Sequence, residues 1–345
     1  MAGDIVVHRD QGTGGAGAGS MHTTSMTHFF AFNGDADGLC ALQQLRLAEA
    51  PDAILVTGVK RDIQLLRRIE AARGDRVTVL DVSHEQNCAD VRRLLTAGAG
   101  VRYFDHHFAG ELPAHPGFDA HINTEPDVCT SALVNGYLKG RHVRWAIAAA
   151  FGDELPQLGE ALAKAHGLTP ETILPLAQLG HRLNYNAYGE TVDDLHFDPA
   201  ALADAMLPFA DPHDFMRNTG VFPALCEGYR EDMEKARALC PLREVPGAAL
   251  VQLPHEAWAR RATGVLANEL MRARPDMALA VLSPKAAGGF VVSVRVPVGR
   301  AAGADDFCRT FETGGGRKRA AGINHLPETE VEPFIAKFET AFRTR

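Results

Sequence analysis

From residue 27 the chain alternates short apolar runs with stretches of helical periodicity. "THFFAF" (27–32), "AILVTG" (53–58), "RVTVLDV" (76–82) and "VRYFD" (101–105) are apolar without polar alternation. Between them lie "LCALQQLRLAEA" (39–50), "DIQLLRRIEAA" (62–72) and "CADVRRLLTAG" (88–98), each with a helical apolar stripe. Strands that are apolar on both sides, separated by amphipathic helices, indicate a parallel sheet covered on both faces, a doubly wound α/β arrangement. A short strand, a loop and a helix follow in "HINTEPDVCTSALVNGYLKG" (121–140), then an apolar helix in "RWAIAAAFGDE" (144–154). Residues 155–240 read as mostly helical, broken at "LNYNAYGE" (183–190), with 221–240 as a connecting helix. The pattern shifts near Pro246. "GAALVQL" (247–253), "ALAVLS" (278–283) and "GFVVSVRVP" (289–297) read as strands around a helix over 256–273, and another helix starts near Glu330. The expected organisation is a segment 1–26, Gly/Ala/Ser/Thr-rich from residue 10 and disordered, a first domain over 27–221, a linker helix over 222–245 and a second domain over 246–345.

Composition narrows the function classes. The 345 residues carry a net charge of −8, which argues against sequence-independent binding of long duplexes, since that needs a basic surface. Six scattered cysteines without a C-x-x-C pair fit reduced thiols rather than a disulfide framework or zinc site. No apolar run approaches the length of a membrane span, and the N-terminus lacks a signal-peptide layout. The expectation is a cytoplasmic protein without a membrane partner, its oligomeric state left open.

Acidic residues and histidines collect where the strands are expected to end. Asp35 and Asp37 follow the first run, in "AFNGDADG" (31–38), Asp81 ends the third, and Asp105-His106-His107 end the fourth. Asp153 follows the apolar helix. Parallel α/β sheets bind ligands outside the carboxyl ends of their strands, so these residues are expected on one rim. A lone Asp after a strand is usually a turn or cap residue. Four acidic positions with an imidazole pair change that balance, because ionised carboxylates held together call for a cation, and oxygen and imidazole ligands suit Mn²⁺ or a similar divalent ion. "TGGGRKRAAG" (313–322) places Gly314, Gly315 and Gly316 before Arg317, Lys318 and Arg319. It reads as a flexible turn with basic surface residues, or as an anion-binding loop. "VKRD" (59–62) is a further candidate phosphate contact.

"DADG", "DVSH", "FDHH", "FGD" and "GGGRKRAAG", in that order, resemble the motif set of the DHH/DHHA1 phosphoesterase superfamily over about residues 27–340. That group includes RecJ-type single-strand exonucleases, nano-RNase/pAp phosphatases and cyclic-dinucleotide phosphodiesterases. "LGHRLNYNAYGE" (179–190) is similar to the Asn-Ala-x-Gly motif of the RecJ group, with Asn186 at its centre. The resemblance implies an N-terminal doubly wound parallel-sheet DHH domain plus a smaller C-terminal α/β DHHA1 domain. It implies two divalent cations, Mn²⁺ first and Mg²⁺ second. One would be held by Asp35, Asp81 and Asp153, the other by Asp37, Asp81, His106 and Asp153. His107 would act at the scissile phosphate, and Asp105 would orient an imidazole. Gly314, Gly315, Gly316, Arg317, Lys318 and Asn186 would bind substrate, the glycine loop acting as a clamp.

The implied activity is hydrolysis of phosphodiester or phosphomonoester bonds in small nucleotides or short single-stranded oligonucleotides, by a water that the two ions activate. The alternatives are a RecJ-like single-strand exonuclease and a non-catalytic nucleotide-binding or regulatory protein on a degenerate DHH scaffold. Two positions depart from the family. Ala31 stands where the family has His four residues before Asp35, leaving Asn33, His28 or water to replace it, and Arg317 stands where the clamp has His.

Overall fold

The computed structural model describes residues 26–49, 52–300 and 302–344. The disordered segment expected over 1–26 therefore lies outside the described residues, Met26 excepted. The chain divides into two compact units. One runs through Ala187 and resumes at Phe197–Leu225; the other comprises Tyr188–His196 and Cys226–Arg345. No described helix is long and apolar enough to cross a membrane.

The first unit is built on five parallel strands: β1 (His28–Phe32), β2 (Ile54–Val56), β3 (Arg76–Leu80), β4 (Gly100–Asp105) and β5 (Phe118–Ile122), in the order β2-β1-β3-β4-β5. Around them lie α1 (Ala36–Glu49), α2 (His84–Thr96), α3 (Thr130–Tyr137), α4 (Val143–Gly152), α5 (Pro156–Ala165), α6 (Pro170–Asn186), α7 (Pro199–Met206) and α8 (Pro212–Asn218). The pleat sorts the strands' side chains. Phe30, Phe32, Leu80 and Phe104 join the core under α1 and α4, whereas Phe29, Ala31, Val77, Val79 and Tyr103 join a second core under α2. The chain leaves β1 toward β2 on one side and reaches β3 on the other. The carboxyl ends of β1 and β3 thus flank a topological switch point, where such sheets open a crevice.

The helix expected over 62–72 is replaced by irregular chain with one short 3₁₀ turn at Leu66–Arg68. Side chains of α2 take the backbone groups that a helix would have paired. The Asn87 amide receives the Leu66 N–H and donates to the Ile63 carbonyl, and Arg93 donates to the carbonyls of Leu66 and Ile69.

The second unit carries a six-stranded sheet, ordered β10-β11-β9-β8-β7-β6, from β6 (Arg243–Val245), β7 (Ala248–Gln252), β8 (Ala278–Pro284), β9 (Phe290–Arg295), β10 (Gly314–Arg317) and β11 (Ala320–Leu326). Only β7 and β8 pair in parallel. Its helices are α10 (Ala257–Ala273), α11 (Ala304–Cys308) and α12 (Val331–Phe342); α9 (Val221–Arg237) begins in the first unit and ends in this one. Residues 188–196, expected within the first domain, belong here because α10 holds them. Arg260 forks onto the Asp194 carboxylate, and Arg261 reaches the Asp194 carbonyl while gripping Asp232 through two bonds of 2.7 and 2.8 Å.

Candidate metal centre

Helix α1 starts at Ala36, three residues earlier than its apolar pattern suggests, and this changes the geometry of the opening carboxylates. They do not share the side of an extended strand. Asp35 lies just ahead of the helix, where its Oδ1 accepts the N–H groups of Asp37 and Gly38 at 3.0 and 3.1 Å, an N-cap arrangement. Asp37 sits in the first turn and points at the start of α3. Its two oxygens accept the N–H groups of Thr130 and Ser131, both at 2.7 Å, so a helix N-terminus supports the negative charge.

Asp81 follows β3 with φ at +59°, left-handed backbone that an L-residue with a side chain rarely adopts. Strain of this kind, of order 1–3 kcal/mol, persists where surrounding structure enforces it, and it aims the side chain. The Thr130 hydroxyl donates to Asp81 Oδ1 at 3.1 Å. Asp153 ends α4. A Cβ on Gly152, immediately before it, would stand 2.4 Å from the Ala36 methyl, so only glycine lets α4 approach α1 closely enough to bring Asp153 beside Asp37.

The two histidines have different roles in this geometry. His106 Nδ1 lies 2.8 Å from the Val128 carbonyl. A carbonyl only accepts, so Nδ1 carries the proton and Nε2 is left to face the carboxylates. Nε2 stands 3.4 Å from Asp81 Oδ1 and 3.7 Å from Asp153 Oδ2. His107 Nδ1 bonds Asp105 Oδ1 at 2.7 Å and lies 3.9 Å from Asp81 Oδ1. Asp105 therefore pairs with the His107 imidazole, whereas a backbone carbonyl orients His106. Asp105 is fully buried, and its Oδ2 has no partner among the described residues.

Electrostatics mark the same residues. Burial, then the charge of neighbouring carboxylates, pushes Asp37 and Asp153 up to about 7 and Asp81 up to about 6. Burial works against a charged His106, but its bond to Asp81 and the charges of Asp37, Asp81 and Asp153 outweigh that and raise it to about 10. The bond to Asp105 raises His107. Four carboxylates on one crevice thus repel one another. Asp37, His106 and Asp153 each offer a ligand atom within 4.8 Å of the others, as do Asp81, His106 and His107. Carboxylate oxygens mixed with imidazole nitrogen, as in both groups, form the donor set of a hard or borderline divalent cation, and the residues fit such an ion.

Asp35 belongs to neither group. Burial acts to raise it, and the Lys60 ammonium, 2.5 Å from Oδ2, overrides this and holds its carboxyl below the usual range. Lys60 Nζ also reaches Asn184 Oδ1 at 3.0 Å and Asp153 Oδ1 at 3.8 Å. Lys60, Asn184 and Thr130 are the site residues that the sequence pattern did not single out for this role; "VKRD" pointed only to a phosphate contact. Neither residue expected to substitute for an imidazole at position 31 faces the Asp35 carboxylate as a free ligand. His28 lies at the opposite end of β1, bonded to Thr78, and Asn33 accepts the Asp35 N–H and donates to the Lys60 carbonyl. Ala31 is part of the apolar core.

Asn186 is a correction. Its amide is fully buried, donates to the Phe197 carbonyl at 2.9 Å and accepts the Phe197 N–H at 3.0 Å, so it ties two chain segments together and has no face for a substrate. In the second unit, the glycine-rich segment is a β-hairpin rather than a flexible loop. Gly314 and Gly316 serve packing: a Cβ on Gly314 would stand 1.7 Å from the Cys308 carbonyl oxygen, and one on Gly316 (φ +138°) 2.5 Å from the Ala321 Cα. Gly315 faces open space. Arg317 and Lys318 are exposed. Arg317, Ala320 and Arg295 share one row across β10, β11 and β9, so the two guanidinium groups lie on one face of the sheet, flanking a small side chain.

No protein-family model and no curated protein matches the chain. Solved structures do. Exonuclease RecJ bound to manganese is similar over 91% of this chain and 89% of its own, with 18% identity and a TM-score of 0.60. The DHH domain of a member of a ribosomal-protein family gives 92% and 88% coverage, 14% identity and 0.61. A pGpG-specific phosphodiesterase from Vibrio cholerae gives 91% and 99% coverage, 16% identity and 0.53. The chain therefore has the fold of the DHH-domain proteins.

Proposed function

We propose that the protein is a divalent-cation-dependent phosphoesterase acting on small nucleotides or short single-stranded oligonucleotides. The observation that carries the reading is the convergence of Asp37, Asp81, His106 and Asp153 at the switch point, with His106 Nε2 turned inward by the Val128 carbonyl. These four residues would hold the cation, Mn²⁺ being the first to supply and Mg²⁺ the comparison. When bound, such an ion supplies Lewis acidity to a phosphoryl group and to an attacking water. The chain's own contribution to bond breaking falls to His107. Its Nδ1 proton is engaged by Asp105, and its raised affinity for a second proton leaves Nε2–H able to donate to the departing oxygen as the phosphorus–oxygen bond breaks. The row of Arg317 and Arg295 gives an acidic protein a local place for phosphate. The fold neighbours that cleave nucleic acid and pGpG support the same substrate class.

The test is hydrolysis of pAp, di- and triribonucleotides, cyclic dinucleotides, single-stranded DNA and pyrophosphate with Mn²⁺, by the wild type and by Asp81→Ala. Turnover of at least one nucleotide, lost in the variant, is expected. No turnover of any by cation-loaded protein would refute the reading. One observation favours a second reading, a nucleotide-binding protein without catalysis: a lysine, not an open carboxylate pair, occupies the space between Asp35 and Asp153. Tight nucleotide binding untouched by Asp81→Ala, without turnover, would establish it.

A further inference from the structure

The carboxylate cluster is divided, and the division comes from one side chain. The geometry points to a site that takes one divalent cation per chain, with the Lys60 ammonium serving as a built-in cation for Asp35 and one oxygen of Asp153. This rests on the cation reading above and replaces the expected pair of ions by an ion and a lysine.

Three observations carry it. First, of the two candidate groups, Asp37–His106–Asp153 and Asp81–His106–His107, the second counts a His107 whose Nδ1 already bonds Asp105, and both share His106. Its Nδ1 is committed to the Val128 carbonyl, so only Nε2 can ligate, and the two groups describe overlapping views of one position. Second, Asp35 stands outside both groups, and its charge is already answered. Oδ1 caps α1, and Oδ2 meets Lys60 Nζ. An ammonium at 2.5 Å fills the space a second ion would need, and Asp153 divides between the halves, Oδ1 toward Lys60 and Oδ2 toward His106.

Third, Lys60 is seated rather than draped. Its N–H donates to the Ala187 carbonyl at 3.0 Å, its carbonyl accepts from Asn33, and Nζ donates to Asn184 Oδ1. The residue at the strand position beneath, Ala31, contributes no ligand and packs among Val77, Val79 and Leu65. A second divalent ion would have to displace a half-buried ion pair and would find Asp35 without an imidazole beside it. In charge terms, one ammonium and one dication together offset three of the four carboxylates Asp35, Asp37, Asp81 and Asp153, with His106 ligating as a neutral imidazole.

The experiment is Mn²⁺ stoichiometry on the full chain, by elemental analysis after gel filtration and by calorimetric titration. Electron paramagnetic resonance serves as an independent readout of isolated against coupled Mn²⁺. The wild type is expected to bind one ion with an isolated six-line spectrum. Lys60→Met, which removes the ammonium but keeps the aliphatic stem, is expected to approach two ions per chain at millimolar Mn²⁺, with loss of the isolated signal. Ala31→His/Lys60→Met should do so at lower concentration. Two ions in the wild type would overturn the inference while leaving the cation reading intact, and that measurement needs no variant. A single ion in both wild type and Lys60→Met would also overturn it, because the lysine would then not be what excludes the second ion. No ion in the wild type would remove the cation reading itself.

Discussion

Asp153→Asn exchanges a charge for a dipole without changing shape, and the structure gives the sign of its effect. Burial, with the charges of Asp37 and Asp35 behind it, raises the Asp153 carboxyl from 3.8 to about 7. Holding it ionised at pH 8 costs the cation-free fold about 4 kcal/mol relative to the unfolded chain, where the group titrates normally. Asparagine relieves that cost but forfeits the attraction of Lys60 and His106 for a full charge, 3.8 and 3.7 Å away. The net expected is a stabilisation of about 2 kcal/mol in chelator, or about 4–8 °C in melting temperature for a unit of this size.

Cation reverses the order. A ligand at a hundred times its dissociation constant stabilises the wild type by about 2.7 kcal/mol, whereas the variant has lost a ligand and should gain little. Calorimetry at pH 8, with EDTA and with Mn²⁺, should therefore give melting curves that cross: the variant higher without cation, the wild type higher with it. A variant that melts lower than wild type in EDTA would refute the electrostatic account. Equal gains from Mn²⁺ in both proteins would refute the assignment of Asp153 to the cation.

Three further outcomes follow from other parts of the molecule. Asp37, Asp81 and Asp153 are raised to between about 6 and about 7, so without cation the fold binds more protons than the unfolded chain above about pH 4. Their contribution is complete below that pH and is lost as pH rises through 6 to 7, and His106, raised to about 10, adds a loss of the same sign above pH 6.5. The melting temperature in EDTA should therefore fall from pH 5.5 to 8, and Mn²⁺ should flatten the slope. His107→Ala should lower kcat about 10²–10⁴-fold with Mn²⁺ content unchanged, a split measured by kinetics beside elemental analysis. Arg261→Met takes the guanidinium from Asp232, which is 2% exposed and keeps the His196 imidazole beside it, and should cost about 3 kcal/mol in urea denaturation, most of it regained in Arg261→Met/Asp232→Leu.

The strands were legible because a parallel sheet buries both faces, and apolar runs such as "HFFAF" and "RVTVL" have few other places to lie. Their carboxyl ends placed Asp81, Asp105, His106 and His107 with them. The helix starts were less legible. The apolar stripe of α1 begins at Leu39, but Asp35 caps a helix that already includes Asp37, so the pair could not be oriented from alternation. The stripe over 62–72 was misleading because apolar spacing cannot reveal that Asn87 and Arg93, more than twenty residues on, would take its backbone partners. Asn186 and the glycines of the hairpin failed for a related reason. A buried amide that pairs with backbone, or a glycine forced by a nearby carbonyl, has no local signature distinguishing it from one that awaits a ligand.

Lys60 is the case where two illegible features explain each other. Three buried carboxylates and a half-buried fourth on one rim need positive charge whatever the protein does, and desolvation makes leaving Asp35 unpaired a costly option, since it is 1% exposed. Alanine at position 31 offers Asp35 no imidazole, and a lysine in the loop after the neighbouring strand puts an ammonium within reach. β1 and β2 are hydrogen-bonded in register, with Ala31 opposite Val56, so the loops that follow both strands open on the same rim. Asn33 links them, taking the Asp35 N–H with one end of its amide and the Lys60 carbonyl with the other. In "AFNGDADG" the asparagine between Ala31 and the first carboxylate thus positions the lysine, and changing Ala31, Asn33 or Lys60 singly should disturb Asp35 more than any two of them changed in compensation. Ala31→His alone would set an imidazole against the ammonium, whereas Ala31→His with Lys60→Met would leave Asp35 a new partner. The order of stability expected in chelator at pH 8 is wild type, then the double variant, then either single variant. A double variant less stable than both singles would mean that the two positions do not answer to the same carboxylate.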